Sequence, residues 1–208
     1  MKTSKRSFSD QTTTISTASV AIASSSEEAL VVDALVRAFV SDPVVRWTWP
    51  NLRAYITHFP NFIKAFGGRA FSQGSAYCTD GYAGAALWLP PGIHPDEEAL
   101  NNIFQQTVSE QQQPDLFAMF EEMDHYHPDE PHWYLPLIGV VPTRQSQGCG
   151  AALMHQALLQ CDRNQTPAYL EATSARSIPF YQRHGFKVLG TIQVGTSPPL
   201  FPMLRQPK

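Results

Sequence analysis

The stretch Val140-Val141-Pro142-Thr143-Arg144-Gln145-Ser146-Gln147-Gly148-Cys149-Gly150-Ala151 decides how this chain is read. An apolar run, Leu135 to Val141, enters it through a proline, and two glycines make a turn. Beyond the turn, Leu153, Met154, Ala157, Leu158 and Cys161 recur at helical spacing and form a buried stripe. Strand, glycine turn and helix in that order make a site for an anion. The first N–H groups of a helix lack intrahelical partners and carry the positive end of its dipole, and glycines let the main chain approach a phosphate closely.

The residues around the glycines separate the kinds of phosphate loop. A P-loop needs Lys and then Ser or Thr after its last glycine, where this chain has Ala151 and Ala152. A dinucleotide fingerprint needs a third glycine, where Leu153 stands, and an early strand-turn-helix unit. What remains is Gln-x-x-Gly-x-Gly, from Gln145 to Gly150, preceded by Val-x-Pro.

The whole chain sets the context. Its 208 residues suit one domain, and 43% hydrophobic with 16% charged residues excludes a disordered chain. No apolar run approaches the roughly 20 residues of a membrane helix. Cys78, Cys149 and Cys161 are few, odd in number and without metal-type spacing, so a cytoplasmic location is expected. Residues 1–14 are rich in Ser and Thr, with Lys2, Lys5 and Arg6, and lack the apolar core of a secretory signal. They read as a disordered tail with a trace of transit-peptide composition, ahead of a domain spanning 15–208.

Charge is segregated. Between Arg69 and Arg144 there is no Lys or Arg, while Asp80, Asp96, Glu97, Glu98, Glu110, Asp115, Glu121, Glu122, Asp124, Asp129 and Glu130 all fall there. From Arg144 onward Arg144, Arg163, Arg176, Arg183, Lys187, Arg205 and Lys208 face only Asp162 and Glu171. Such a division draws a polyanionic cofactor to one part and a cationic partner to another.

Local patterns place the elements. Thr14 to Ser24 reads as a strand, and Ser24 to Glu28 offers a capping box. Leu30, Val31, Ala34, Leu35 and Ala38 then form one helix face, ending near Asp42-Pro43. A second helix, Leu52 to Phe66, contains Pro60, which predicts a kink or restart, and closes at Gly67-Gly68. Thr79-Asp80-Gly81 between apolar runs predicts a hairpin. Helices over Asp96–Gln112 and Pro114–Met123 precede an acidic, His-bearing link, Asp124 to His132, read from Pro128 and Pro131 as a solvated loop. Trp133–Val141, Ala168–Ala172, Phe186–Val194 and Pro199–Leu204 read as strands, with a short helix from Ser177 to His184. This order predicts an α/β (α+β) layer arrangement.

His132-Trp133-Tyr134-Leu135 through Gly150, with Tyr169-Leu170-Glu171 and Ile178-Pro179-Phe180-Tyr181-Gln182-Arg183-His184-Gly185-Phe186, resembles the GNAT superfamily of N-acetyltransferases, and within it puromycin N-acetyltransferase-like proteins. The resemblance implies a single domain with a central, mixed, mostly antiparallel twisted sheet flanked by helices. It implies acetyl-coenzyme A as co-substrate, with Ile138 and Val140 offering main-chain groups to the pantetheine arm. The loop residues Gln145, Ser146, Gln147, Gly148, Cys149, Gly150 and Ala151 would surround the pyrophosphate. Tyr181 matches the tyrosine that protonates the leaving thiolate, a role suited to a phenol that stays protonated at neutral pH. Two positions depart from the pattern: Ser177 stands where an Asn is usual, and Gln147 where a basic residue is usual, with Arg144 or Arg176 available to compensate.

The acceptor is expected to be a small-molecule amine, cationic ones included, met by Glu171, Trp133 and Tyr134; no general base is evident. The acidic His-bearing segment lacks metal-type spacing, so no metal is expected. Cys149 has no His base beside it, which argues against a catalytic thiol. Neither nucleic acid nor membrane is an expected partner, and monomer and homodimer are both open. The alternative reading is a non-catalytic acyl-coenzyme A binding or sensing module.

Overall fold

The computed structural model describes residues 18–208; the expected tail over residues 1–14, and residues 15–17 of the expected first strand, lie outside them. Seven strands form one sheet in the order β1-β2-β3-β4-β5-β7-β6: β1 (Val20–Ile22), β2 (Ala76–Thr79), β3 (Gly84–Leu89), β4 (Trp133–Val140), β5 (Ala168–Ala172), β6 (Lys187–Val188) and β7 (Phe201–Arg205). Every neighbouring pair is antiparallel except β4 with β5. The helices are α1 (Glu28–Ala38), α2 (Pro43–Thr48), α3 (Leu52–Gly67), α4 (Arg69–Ser72), α5 (Glu97–Thr107), α6 (Gln113–Tyr126), α7 (Cys149–Arg163) and α8 (Ile178–Arg183).

The sheet separates two apolar layers. On one face α1, α3, α5 and α6 pack with Leu87, Leu89, Tyr134, Leu137 and Tyr169. On the other, the α7 stripe packs with Ala86, Trp88, Trp133, Leu135 and Leu170. Side chains alternate along a strand, so Trp133 and Leu135 share one face and Tyr134 takes the other. Leu137 breaks that parity by joining Tyr134, because β4 carries one extra residue: Leu87 pairs with Leu137, but Leu89 pairs with Tyr134. The bulge falls at Leu135-Pro136, where proline has no N–H for the ladder.

The capping box forms as expected, Ser24 N–H donating to Glu27 Oε2 at 2.9 Å. It first caps a single 3-10 turn, and α1 then buries Val31, Val32, Ala34 and Leu35 while Leu30 is 49% exposed. The close approach of α1 to the sheet depends on Gly139, where a Cβ would lie 2.6 Å from Ala38 Cβ. Pro60 does not interrupt α3, which runs unbroken for 16 residues. Its aromatic stripe, with Phe59 and Phe62 stacked at 5.7 Å and Phe62 and Phe66 tilted at 5.0 Å, is buried around the proline and outweighs one missing backbone bond. α3 ends at Gly67 as expected, with Gly68 as its C-cap, and the same glycine leads directly into α4.

Two further expectations are corrected. The strand over Phe186–Val194 reduces to Lys187–Val188 and one bridge, Ile192 to Leu200, because β7 inserts between β5 and β6 and offers only a short edge. The segment from Asp124 to His132 is only in part the expected solvated loop: Asp129, Glu130 and Pro131 are exposed, but α6 continues to Tyr126, and the His127 ring packs 4.3 Å from Tyr169 and 4.7 Å from Tyr134.

The basic C-terminal third is not uniformly free to meet an anion. Arg205 is 3% exposed and donates to both Asp162 oxygens at 2.8 Å and to His184 O at 3.0 Å. These guanidinium bonds hold the Asp162 carboxyl below its ordinary value. A carboxyl whose folded pKa lies below the unfolded value of about 3.9 contributes stability above that pH and loses it as pH falls through the folded value. Asp162→Asn is therefore expected to melt below the parent at neutral pH, with the gap closing under about pH 4 in thermal melts across pH.

Candidate active site

The bulge at Pro136 opens the site. β4 and β5 pair only at Trp133–Ala168 and Tyr134–Tyr169; beyond these the two strands part. Val141 N–H donates to Ala83 O at 2.9 Å, so alternation along an antiparallel ladder turns the main-chain groups of Val140 and Ile138 to the opposite edge, where β5 has left. A groove with a cavity of about 600 Å³ fills the wedge. An extended, amide-bearing ligand can add to that bare edge as a strand.

The loop between β4 and α7 closes part of this groove. Gly148 has φ +85°, a left-handed conformation that glycine adopts freely, and Ser146 has φ +61°. Alternating conformations of this kind turn successive N–H groups into one concavity, and the α7 N-terminus adds its own. Arg144, Arg176 and Arg183 line the same groove and have no carboxylate partner among the described residues. Gly148→Ala forces a Cβ into the left-handed region at a cost of about 1–2 kcal/mol. About tenfold weaker binding of inorganic pyrophosphate with an unchanged fold is the expected result, read by calorimetry.

Tyr181, on α8, is 8% exposed and reaches the groove with no hydrogen-bond partner for its hydroxyl among the described residues. Burial, followed by the nearby Asp42 charge, raises its pKa. Glu171, at the end of β5, lines the groove as well, its side chain only 4% exposed. Tyr134 O–H donates to Glu171 Oε2 at 2.9 Å, while Oε1 is buried without a hydrogen bond and lies 3.4 Å from His127 Nε2. The Tyr169 hydroxyl is buried near this carboxylate without a partner of its own, and that hydroxyl and an arriving cation are the two groups able to satisfy the bare oxygen. Glu171 and Thr173 also border a small apolar chamber lined by Phe39, Trp49, Phe62, Phe66, Phe104 and Phe120.

Of the residues singled out in the sequence, Ile138, Val140, Gln145, Ser146, Gly148, Cys149, Gly150, Ala151, Glu171, Ser177 and Tyr181 line one groove. Gln145 Nε2 donates to Val140 O at 3.2 Å, tying the loop to the open edge. The Ser177 hydroxyl donates to Ser174 O at 2.7 Å. Gln147 lies outside the groove, its amide donating to Thr143 O at 3.2 Å. Trp133 is packed in the core on the α7 face, and Tyr134 lines a separate cavity while reaching Glu171 through its hydroxyl.

Sequence reasoning missed Asp42 and Thr173. Asp42 caps α2, accepting from Val44 and Val45 N–H at 3.0 Å each, and takes a hydrogen bond from the Thr173 hydroxyl; burial raises its pKa. An Asp before a helical Pro is a helix start, a signal that was present and read as a stop. No group of three or more His, Cys, Asp or Glu side chains among the described residues is arranged to hold a metal ion. No helix of the described residues is long and apolar enough to cross a membrane.

The seven-stranded open sheet, parted at β4 and β5 and flanked by helices, is the GNAT fold, and residues 115–188 match the family described as acetyltransferase (GNAT) domain. A solved structure described as histone acetyltransferase HPA2 and related acetyltransferase, from Corynebacterium glutamicum, is 26% identical with a TM-score of 0.66, over 92% of this chain and 97% of that one. Arylalkylamine N-acetyltransferase 2 from Aedes aegypti shares the fold at 15% identity and TM-score 0.65, covering 91% and 99%. An agmatine N-acetyltransferase does so at 12% and 0.63, covering 90% and 98%.

Proposed function

We propose that the protein is an N-acetyltransferase that moves the acetyl group of acetyl-coenzyme A directly to the amine of a small molecule. One observation carries the reading: a single groove unites a strand edge that β5 has left, a glycine-turned helix N-terminus, a buried phenol and a buried carboxylate. The edge at Ile138 and Val140 suits the pantetheine amides, and the loop with Arg144 and Arg176 suits the pyrophosphate. Glu171 meets the acceptor nitrogen, and Tyr181 protonates the departing thiolate. The structures with the same fold include an arylalkylamine and an agmatine N-acetyltransferase, which supports an amine acceptor. The aromatic chamber beside Glu171 favours an acceptor with a hydrocarbon or aromatic body. The motif around Tyr181 supports kinship with puromycin N-acetyltransferase-like proteins, and three buried free cysteines suit a reducing cytoplasm.

The test is incubation with acetyl-coenzyme A and a panel of 2-phenylethylamine, agmatine, spermidine and a lysine peptide, following free thiol. Thiol release that depends on an amine is expected. Tight acetyl-coenzyme A binding with no amine-dependent release would assign a binding or sensing role instead.

A further inference from the structure

Behind Glu171 runs a hydrogen-bonded line whose polarity is set from its far end. His132 Nδ1 lies 2.8 Å from Glu130 O, a carbonyl that can only accept, so His132 donates there. Burial lowers the pKa of His132, which favours the neutral ring, and in that ring the Nε2 is an acceptor. His127 Nδ1, 3.1 Å from that Nε2, must then carry a hydrogen and donate it. With its one hydrogen on Nδ1, the His127 ring turns its Nε2 lone pair toward Glu171 Oε1, 3.4 Å away, an oxygen that has no hydrogen bond among the described residues. One added proton converts this opposition into a bond. The other Glu171 oxygen is already served by Tyr134 O–H at 2.9 Å.

We propose that the Glu171–His127 contact receives the proton taken from the acceptor ammonium, with His132 fixing the tautomer that leaves His127 Nε2 open to it. The inference rests on the acetyl-transfer reading. The balance requires such a receptacle, since ammonium and thioester give amide, thiol and one released proton. The ammonium N–H bond breaks and its electron pair stays on nitrogen as the nucleophile. The proton bonds Glu171 Oε1 and passes to the His127 Nε2 lone pair, leaving a carboxylate and an imidazolium. His127, whose side chain is 25% exposed, and His132 both line a second cavity, of about 660 Å³, so the imidazolium can return its proton to water there. The ionisable groups facing the line are Tyr134 on β4, Tyr169 on β5, Asp124 and Tyr126 on α6, and His94 after β3. None of them is a Lys or Arg, so no fixed cation opposes a second positive charge there. His127 acts through Glu171 and is a positioning residue rather than a catalytic one.

The experiment uses the full chain, acetyl-coenzyme A and the fastest amine of the panel above. His127→Ala is expected to slow turnover about 10²-fold with acetyl-coenzyme A affinity unchanged. Added imidazole should restore much of the rate, increasingly as pH rises through about 6.5–7 and the free base accumulates. His127→Phe keeps the ring that packs on Tyr134 and Tyr169 but has no nitrogen, and it should share the defect. Parental turnover in His127→Phe, or a His127→Ala loss that imidazole leaves untouched, overturns the proposal. A parent enzyme with no amine-dependent thiol release overturns the acetyl-transfer reading itself, and the receptacle with it.

Discussion

A Tyr181→Phe enzyme is expected to bind acetyl-coenzyme A as the parent does and to transfer acetyl about 10³-fold more slowly. The ring is held edge-on by Phe180 at 5.2 Å and Phe186 at 6.1 Å, and a phenylalanine fills the same place. The fold therefore keeps its packing, and the loss reads the hydroxyl alone. That hydroxyl has no protein partner to satisfy among the described residues, which in the proposed reaction leaves its proton for the sulfur of the leaving group. Burial first, and the Asp42 charge second, raise its pKa above the usual value of about 10. The acid form thus persists through the alkaline range, so ionisation of Tyr181 should cause no fall in rate below about pH 10. Steady-state thiol release across pH, beside calorimetry of acetyl-coenzyme A binding, checks both halves. Parental turnover in the variant would take Tyr181 out of the mechanism.

Glu171→Gln is expected to lower kcat/KM for the amine about 10²-fold while leaving the protein as stable as the parent or more so. The substituted amide still accepts from Tyr134 O–H, so the local structure has what it needs. What disappears is a charge whose Oε1 is buried and unbonded, a feature that costs stability until a cation arrives. Activity and stability should therefore move in opposite directions, as they do where a site is strained for its ligand. Amine titrations and thermal melts measure the two effects. A variant that melts early but turns over normally would make Glu171 a structural residue.

The parts of this molecule that were legible in the sequence are those encoded by neighbours in the chain. The glycine turn, the hairpin at Asp80-Gly81 and the α7 stripe each follow from spacing within a dozen residues, and each appears where expected. The Tyr181 motif is equally local. What escaped depends on partners far apart. The bulge at Pro136 is defined only by the register of β3 against β4, and it both flips the parity of Leu137 and opens the groove. Thr173 and Asp42 lie 131 residues apart and are joined only once α2 and β5 share one groove. His127 stood in a Pro-rich acidic stretch that reads as solvated, yet it is drawn into the aromatic layer by Tyr134 and Tyr169. The continuity of α3 through Pro60 is a case of tertiary packing overriding a local break signal.

Direct transfer within one groove is the central claim, and a rapid-quench turnover with acetyl-labelled acetyl-coenzyme A and the best amine tests it most directly. The expected result is label passing to the amine in step with thiol release, one acetylated amine per thiol, with none trapped on protein. Label appearing on the protein first, at Cys149 or elsewhere, or thiol released without acetylated amine, would contradict it.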